Sequence, residues 1–332
     1  MKQKRLGVVM GISLFLLVGC MLTSLAFGAK YIEWKEVIFA LFHIEDTSFA
    51  SLVVRERIPR TIFCLIAGAS LGVSGAIMQA ITRNPIADPS ILGVNTGASL
   101  FVVAGITFVQ ISSANQYIWL ALLGAGITAI FVYGIASIGS GGTTPIKLAL
   151  AGAATSAALS SLISAMTLPR TDVMNAYRFW QVGSVSGATW EGIRAVLPFI
   201  MVGIIISLLC IPALDILALG DEVATGLGVN TGIIRLIGAC AGVLLCGAIT
   251  ALAGPIGFVG LMIPHTMRLI VGPNMRRIMP MSAIGGAILL LVADIIGRVV
   301  GSPSELEVGI ITAFLGAPIL IVIARKAKVR AL

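Results

Sequence analysis

The stretch TIFCLIAGASLGVSGAIMQAITRNPIADPSILG (61–93) joins a long uncharged run to an abruptly polar end. Its apolar part is long enough to cross the roughly 30 Å hydrocarbon core of a bilayer as a helix. Gly68, Gly72 and Gly75 lie three or four residues apart, so they share one helix face and predict close contact with neighbouring helices. The polar end carries residues that a lipid-facing helix avoids: Asn84, Pro85, Asp88 and Pro89. We therefore expect this helix to be wrapped by others and to end in a loop near a pathway.

The composition of the whole chain indicates a lipid environment. Of the 332 residues, 58% are hydrophobic and 11% are charged, and the mean hydropathy is +1.06. Soluble domains contain about 25% charged residues. Because a helix satisfies its own backbone hydrogen bonds in lipid, the sequence predicts an all-α polytopic membrane protein. No linker or second domain is visible, so we predict one domain over residues 1–332. The net charge of +8 comes from scattered basic residues, which indicates membrane topology rather than nucleic-acid binding.

Ten segments are apolar enough to be predicted as spans, with loose boundaries. They are about 6–29, 59–81, 92–111, 117–139, 146–167, 193–213, 232–253, 257–271, 279–300 and 307–324. The basic start of the chain, with an apolar run up to Cys20, also resembles a lipoprotein signal. Because the apolar run continues through Phe27, we interpret it as the first transmembrane helix.

The basic residues predict the orientation of these spans. Cytoplasmic loops carry an excess of Lys and Arg, and ten spans place both termini on one side, so we expect both termini in the cytoplasm. The residues on that side are Lys2, Lys4, Arg5, Lys147, Arg235, Arg268, Arg276, Arg277, Arg325, Lys326, Lys328 and Arg330. The exceptions on the outer side are Arg55, Arg57, Arg60 and Arg298, and their departure from the rule predicts a functional role.

Several function classes lack their sequence signatures. The five cysteines form no CxxC pair and lie in or beside apolar runs, so we predict neither a disulfide nor a metal site. The chain contains no GxxxxGK[ST] sequence and therefore does not bind ATP through a P-loop of its own. No nucleophile–base pair points to an intramembrane enzyme, and we predict no catalytic residue and no cofactor.

The segment LALGDEVATGLGV (217–229) interrupts two apolar spans on the predicted cytoplasmic side. Asp221 and Glu222 favour the start of a short helix, because acidic groups are stabilised at helix N-termini. Three apolar residues would share one face of that helix: Leu219, Val223 and Leu227. The segment is either a solvated surface helix or an interfacial helix that presents this face to a cytoplasmic partner.

Two further segments place charged or strained residues in apolar surroundings. In ADIIGR (293–298), Asp294 and Arg298 lie four residues apart and predict an ion pair on one helix. In GPIGFVGLMIPHTMR (254–268), glycines and prolines interrupt an apolar run. We expect the break to serve tight packing and a mechanical joint, through residues taken in chain order: Gly254, Pro255, Gly257, Gly260, Pro264 and His265. A proton-relay role for His265 is the alternative.

These segments together resemble the permease family of ATP-binding-cassette (ABC) importers for iron–siderophores, haem and cobalamin. The resemblance covers almost the whole chain. It rests on RIPRT (57–61), GASLGVSGAIMQAITRNPIADPSILGVNTGA (68–98), FWQVGS (179–184), LGDEVATGLGV (219–229), GPIGFVGLMIPHTMR (254–268), and LLLVADIIGR (289–298) with VGIITAFLGAP (308–318). It implies the type II importer permease fold with ten helices, a second permease subunit, an extracytoplasmic binding protein and a cytoplasmic ATPase dimer.

The resemblance also implies roles for individual residues. A coupling helix at about 218–229 would contact the ATPase through Asp221, Glu222, Ala224, Leu227 and Gly228. The binding protein would dock through ion pairs with Arg57, Arg60 and Arg298. The pathway or its packing would involve Gly68, Gly72, Gln79, Asn84, Pro85, Gly257, Pro264 and His265.

The C-terminal segment SELEVGIITAFLGAPILIVIARK and the segment GPIGFVGLMIPH resemble ferric-siderophore permeases more than the cobalamin branch. A ferric siderophore is therefore the expected substrate, with haem or cobalamin as alternatives. From another class, an ion-coupled secondary carrier is the alternative, although intramembrane carboxylates are scarce and a coupling-helix signature is present.

Overall fold

A computed structural model describes residues 2–43, 46–139 and 143–327 of the chain. The predicted cytoplasmic residues Lys328 and Arg330 lie outside them. In this part of the chain every regular element is helical. The α-helices are α1 (Lys2–Ala26), α2 (Trp34–Phe42), α3 (Phe49–Thr82), α4 (Val94–Ala104), α5 (Ala114–Ala136), α6 (Pro145–Thr167), α7 (Thr171–Gln181), α8 (Trp190–Leu217), α9 (Asp221–Gly226), α10 (Thr231–Ala253), α11 (Val259–Val271), α12 (Met275–Val300) and α13 (Val308–Ala327).

Each of the ten predicted spans coincides with one of these helices. Seven described helices are long and apolar enough to cross a bilayer: α1, α3, α5, α6, α8, α10 and α12. Three shorter apolar segments account for the remaining spans, namely Val94–Val109, Val259–Val271 and Val308–Ile321. The first of these continues α4 through a π-helical turn at Gly105–Val109. The prediction of an all-α polytopic fold is confirmed, and the short helices α2, α7 and α9 lie between spans.

Helix α3 is the central element of the bundle. Its 34 residues extend over about 51 Å, well beyond the hydrocarbon core. The predicted span 59–81 was therefore too short at its N-terminal end, since Arg55, Arg57 and Arg60 lie inside the helix rather than before it. Proline normally signals a helix boundary, but Pro59 lies buried within α3 because surrounding elements hold the helix together.

Glycines allow α3 to touch its neighbours backbone to backbone. A side chain at Gly68 or Gly72 would overlap the carbonyl groups of Gly286 or Ser282 in α12, and one at Gly75 would overlap the carbonyl of Gly260 in α11. The predicted packing stripe is thus confirmed. Glycine has no side chain, so the helix backbones can approach closely at these positions. This close approach stabilises the bundle because van der Waals contact, rather than the hydrophobic effect, holds helices together in lipid.

The two ends of α3 lie beside two different polar groups of residues. At its start are Arg57, Arg60 and Arg298, and we call this the arginine end of the bundle. At its last turn, Arg235 of α10 joins α3 to α9, and we call this the α9 end.

Candidate functional site

The arginine end is built around one buried carboxylate. Asp294 of α12 accepts hydrogen bonds at Oδ1 from Nε and Nη2 of Arg60, at 2.9 and 2.7 Å. Its Oδ2 lies 2.8 Å from Nη2 of Arg298, one turn along α12. The side chains of Asp294 and Arg298 are 1% and 2% exposed. The predicted Asp294–Arg298 pair is confirmed, and Arg60 is a second counter-ion, so the buried charge is compensated from two helices.

Arg57 and Arg298 hold the end of α1 in place. Arg57 donates hydrogen bonds to the carbonyl groups of Leu25, Ala26 and Lys30, at 2.8, 3.0 and 2.7 Å. Arg298 donates to the carbonyl and the hydroxyl of Ser24, at 3.0 and 2.9 Å. The last carbonyl groups of a helix lack intrahelical partners, and guanidinium groups satisfy them here.

Arg60 connects the buried cluster to an exposed acidic residue. Its Nη1 lies 2.6 Å from Oε2 of Glu305, whose side chain is 34% exposed. Glu305 lies in the segment between α12 and α13, 245 positions from Arg60, so no local sequence pattern indicated this pair. The arginine end therefore has Arg57 and Arg298 inside and the Arg60–Glu305 pair at its surface. The expectation that Arg57 and Arg298 themselves pair with a binding protein is at odds with their burial, since they are 9% and 2% exposed and bonded to the end of α1.

Helix α9 presents an apolar face at the opposite end of the bundle. Gly220 and Gly228, with φ angles of +118° and +82°, bracket it in backbone conformations that favour glycine. Asp221 and Glu222 lie in its first turn, as the sequence predicts. The apolar residues of the predicted face are 63%, 48% and 61% exposed, in the order Leu219, Val223 and Leu227. Only Val223 lies within α9, since Leu219 precedes the non-helical Gly220 and Leu227 follows the last helical residue.

The side chain of Ala224 points away from that exposed face. It is fully buried, whereas Glu222, Leu227 and Gly228 are exposed. The expectation that Ala224 itself contacts a partner is therefore at odds with its position. Its small side chain instead allows α9 to lie flat against the bundle.

Arg235 fixes α9 to the end of α3. Its Nη2 lies 2.9 Å from both carboxylate oxygens of Asp221, and its Nε donates to the carbonyl of Ile81 at 3.2 Å. Its Nη1 donates to the carbonyl of Thr143, at 3.3 Å. Arg235 is buried, whereas the side chain of Asp221 is 46% exposed, so the link runs from the interior of the protein to its surface. Sequence reasoning assigned Arg235 only to membrane topology and missed this role.

The residues predicted for the pathway lie in two places. Gln79 is buried and donates to the carbonyl of Leu261 at 3.0 Å, which joins α3 to α11. Asn84 accepts a hydrogen bond from the amide of Ile86 at 3.1 Å, and Pro85 is exposed in the same turn after α3. The turn leads into a 3-10 helix at Pro89–Leu92.

The segment 254–268 packs differently from the prediction in one respect. Gly254 directly follows α10 with a φ of +72°, and a side chain there would overlap the carbonyl of Trp180. Gly257, by contrast, has open space where a side chain would lie, so the prediction of close packing at Gly257 was wrong. Gly260 makes the close approach, since its carbonyl lies against Gly75.

Pro264 and His265 lie inside α11, and neither ends it. The Nδ1 atom of His265 and the Nε atom of Arg268 are buried and have no hydrogen-bond partner among the described residues. No carboxylate is hydrogen-bonded to His265 in the described part of the chain. A proton relay through His265 therefore has no visible partner there.

Comparisons with known proteins identify the family. Residues 16–326 match the FecCD transport family. The chain belongs to that family. A siderophore transport system permease protein, YfiZ of Bacillus subtilis (strain 168), is 38% identical over 96% of both chains. The ferric enterobactin permease FepD of Escherichia coli (strain K12) is 41% identical over 96% of this chain and 95% of its own. This FecCD chain is a membrane permease rather than an enzyme.

A solved structure agrees with the family assignment. It is described as an inward-facing conformation of a metal-chelate type ABC transporter. The two chains superpose with a TM-score of 0.83 at 26% identity, over 98% of this chain and all of the other. The importer permease fold is thereby established for this FecCD chain.

Proposed function

We propose that this chain is the permease subunit of an ABC importer that moves a ferric siderophore into the cytoplasm. The FecCD match and the similarity to siderophore and enterobactin permeases support this substrate class. Haem and cobalamin are the alternatives within the same family. ATP hydrolysis belongs to a separate subunit, and an extracytoplasmic binding protein delivers the substrate.

The observation that carries this proposal is the connection of two polar ends by one helix. Helix α3 holds Arg60 near its start and offers its Ile81 carbonyl to Arg235 at its last turn. A delivery event at one end and an ATPase movement at the other would thus act on the same element. Rigid helices are the elements that transmit such coupling.

The α9 end is the proposed docking site for the ATPase dimer. Leu219, Val223 and Leu227 are exposed apolar residues in α9 and directly beside it, outside the spans. A grouped apolar face in water favours contact with a partner protein. Glu222 and Gly228 lie exposed beside this face and complete the surface, while Asp221 anchors it through Arg235.

The arginine end is the proposed docking site for the binding protein. Arg60 makes the direct ion pair, and a carboxylate of the binding protein takes the place of Glu305. Arg57 and Arg298 keep the end of α1 and the cluster in position for that exchange. Opposite charges across such an interface steer encounter and fix orientation more than they add affinity.

The proposed topology places the α9 end and both termini in the cytoplasm of a bacterium. The basic residues at the α9 end agree with the positive-inside rule. A second permease subunit, identical or related, completes the pathway between the two chains.

Deletion of the gene in its host, followed by measurement of radioactive iron uptake from separate siderophores and haem, tests the substrate class. We expect loss of uptake for one siderophore class and recovery with the wild-type gene. A Leu219/Val223/Leu227 triple serine variant should fail to restore uptake, although it reaches the membrane. Unchanged iron uptake with every chelate would contradict the siderophore assignment and favour cobalamin.

Glu305→Gln is expected to strengthen docking of the binding protein, because it removes the internal competitor for Arg60. The gain should be about two- to five-fold in affinity, as for a partly exposed ion pair worth up to about 1 kcal/mol. Arg60→Gln should weaken docking and reduce its salt dependence. Surface plasmon resonance on the assembled transporter in nanodiscs measures both. Glu307→Gln is the matched control on the same segment, and an equal gain from this control would contradict the exchange.

A further inference from the structure

An apolar groove lies between three helices on the outside of the bundle. It has a volume of about 240 Å³ and is walled by α3, α8 and α12. Its lining residues include Val73, Ile204, Leu208, Ile211 and Ala283. Along α12 the groove extends from Arg276 to Ala283, which corresponds to about 10 Å. This length fits within one leaflet, since half of the hydrocarbon core is about 15 Å thick.

One charged side chain closes the groove at the α9 end. Arg276 lines it, is exposed, and has no ion-pair or side-chain hydrogen-bond partner among the described residues. The nearby carboxylate of Asp215 is engaged at Oδ1 by the backbone amide of Met275, at 2.7 Å. That bond ties the end of α8 to the start of α12 and fixes the two walls beside Arg276.

Two prolines supply hydrogen-bond acceptors along the same walls. Pro212 in α8 and Pro280 in α12 have no amide hydrogen, so each removes one helical bond to the carbonyl four residues earlier. Those carbonyl groups belong to Leu208 and Arg276, and both residues line the groove. Leu208 lies seven residues before Asp215 on α8 and therefore about 10 Å deeper in the groove, so only the Arg276 carbonyl lies at the α9 end, where a ligand hydroxyl could donate to it.

We propose that the groove binds an anionic glycerophospholipid with a hydroxyl-bearing headgroup, of which phosphatidylglycerol is the probe. An acyl chain lies along Ala283, Ile204 and Val73, and the phosphate pairs with Arg276. A headgroup hydroxyl donates to the Arg276 carbonyl, which lacks its usual helical donor because of Pro280. Arginine pairs well with phosphate because its planar guanidinium offers several donors.

The position of the groove favours a lipid over a protein segment. The groove faces outward at membrane depth, where lipid is always present at high concentration. Basic sites between helices near the cytoplasmic surface are suited to anionic headgroups.

The test uses the purified full-length chain in nanodiscs made of equal parts phosphatidylglycerol and phosphatidylcholine. After transfer to detergent, native mass spectrometry counts the lipids that stay bound. We expect the wild type to retain phosphatidylglycerol over phosphatidylcholine. Arg276→Gln should lower that retention roughly five-fold, the factor for one basic residue at an anionic surface. Ala283→Phe, which fills the groove without a charge change, should lower it to a similar extent.

The neighbouring residue provides a matched control. Arg277 lies next to Arg276 but lines a separate cavity with Leu6 and Val9, so Arg277→Gln should retain lipid like the wild type. Equal losses in the two arginine variants, or full retention by Ala283→Phe, would overturn the proposal. Thermal stabilisation by inorganic phosphate equal to that by phosphatidylglycerol would also overturn it, as would a photocrosslinker at Leu208 that reacts with a second copy of the chain. This inference does not depend on the transported substrate, because its readout is lipid retention.

Discussion

Replacement of Arg235 by methionine is expected to uncouple transport from ATP hydrolysis. Chelate transport per ATP should fall about ten-fold or more, within the range of 1–3 kcal/mol typical of coupling between two sites. The assembled transporter should still hydrolyse ATP, because the exposed apolar face of α9 is unchanged. Arg235 touches neither the substrate nor the ATPase in our proposal, and it acts by positioning α9.

The physical reason is the set of bonds that meet at this guanidinium. Without it, the carboxylate of Asp221 loses its buried cation and keeps only Arg83, an exposed side chain 3.7 Å away. The carbonyl groups of Ile81 and Thr143 lose a donor as well. Each lost bond costs about 1 kcal/mol, so α9 becomes free to move without carrying α3 along.

The measurement compares ATP hydrolysis and chelate uptake in proteoliposomes that contain the binding protein. Arg235→Lys keeps the charge, but an ammonium group cannot bond to Asp221, Ile81 and Thr143 in the same arrangement as the planar guanidinium, so we expect partial coupling. Arg83→Gln is the matched control, since it removes only the weak exposed contact and should leave coupling near the wild-type value. An Arg235→Met transporter with wild-type uptake per ATP would contradict the positioning role.

Gly72→Val is expected to destabilise the native bundle strongly. The new side chain would overlap the backbone carbonyl of Ser282, and neither helix can move without breaking the contacts at Gly68 and Gly75. Overpacking of this kind costs about 1–3 kcal/mol where side chains can adjust, and more where backbone is in the way. We therefore expect a destabilisation of about 3 kcal/mol or more.

Gly134→Val is the matched control for this substitution. Gly134 also lies within a spanning helix, but nothing lies within 4 Å of the position that a side chain would occupy. Both variants replace glycine by valine within a helix, so the change in helix propensity is similar. The difference in stability between them therefore measures the effect of packing against α12. Thermal unfolding followed by size-exclusion chromatography measures it. Equal stability of the two variants would contradict the packing argument.

The sequence was sufficient for those features that depend on composition and on near neighbours. Each of the ten apolar runs corresponds to a helix, because a segment in lipid must satisfy its backbone hydrogen bonds internally. The Asp294–Arg298 pair and the glycine stripe of α3 follow from the spacing of residues on a helix. The opposite exposure of Val223 and Ala224 on α9 agrees with helical periodicity, whereas Leu219 lies before the helix and is outside that pattern.

Only the tertiary structure decided which residues meet across the bundle. Asp294 binds Arg60 from 234 positions away, and Arg235 reaches Ile81 from 154 positions away. The inward position of Ala224 and the open space at Gly257 also depend on neighbours that no local pattern names. The physical reason is that helix periodicity fixes which residues share a face, whereas the packing of helices fixes what that face touches. The composition and the motifs of the sequence were thus sufficient to predict a polytopic helical permease. The partners of its arginines became visible only in the tertiary structure.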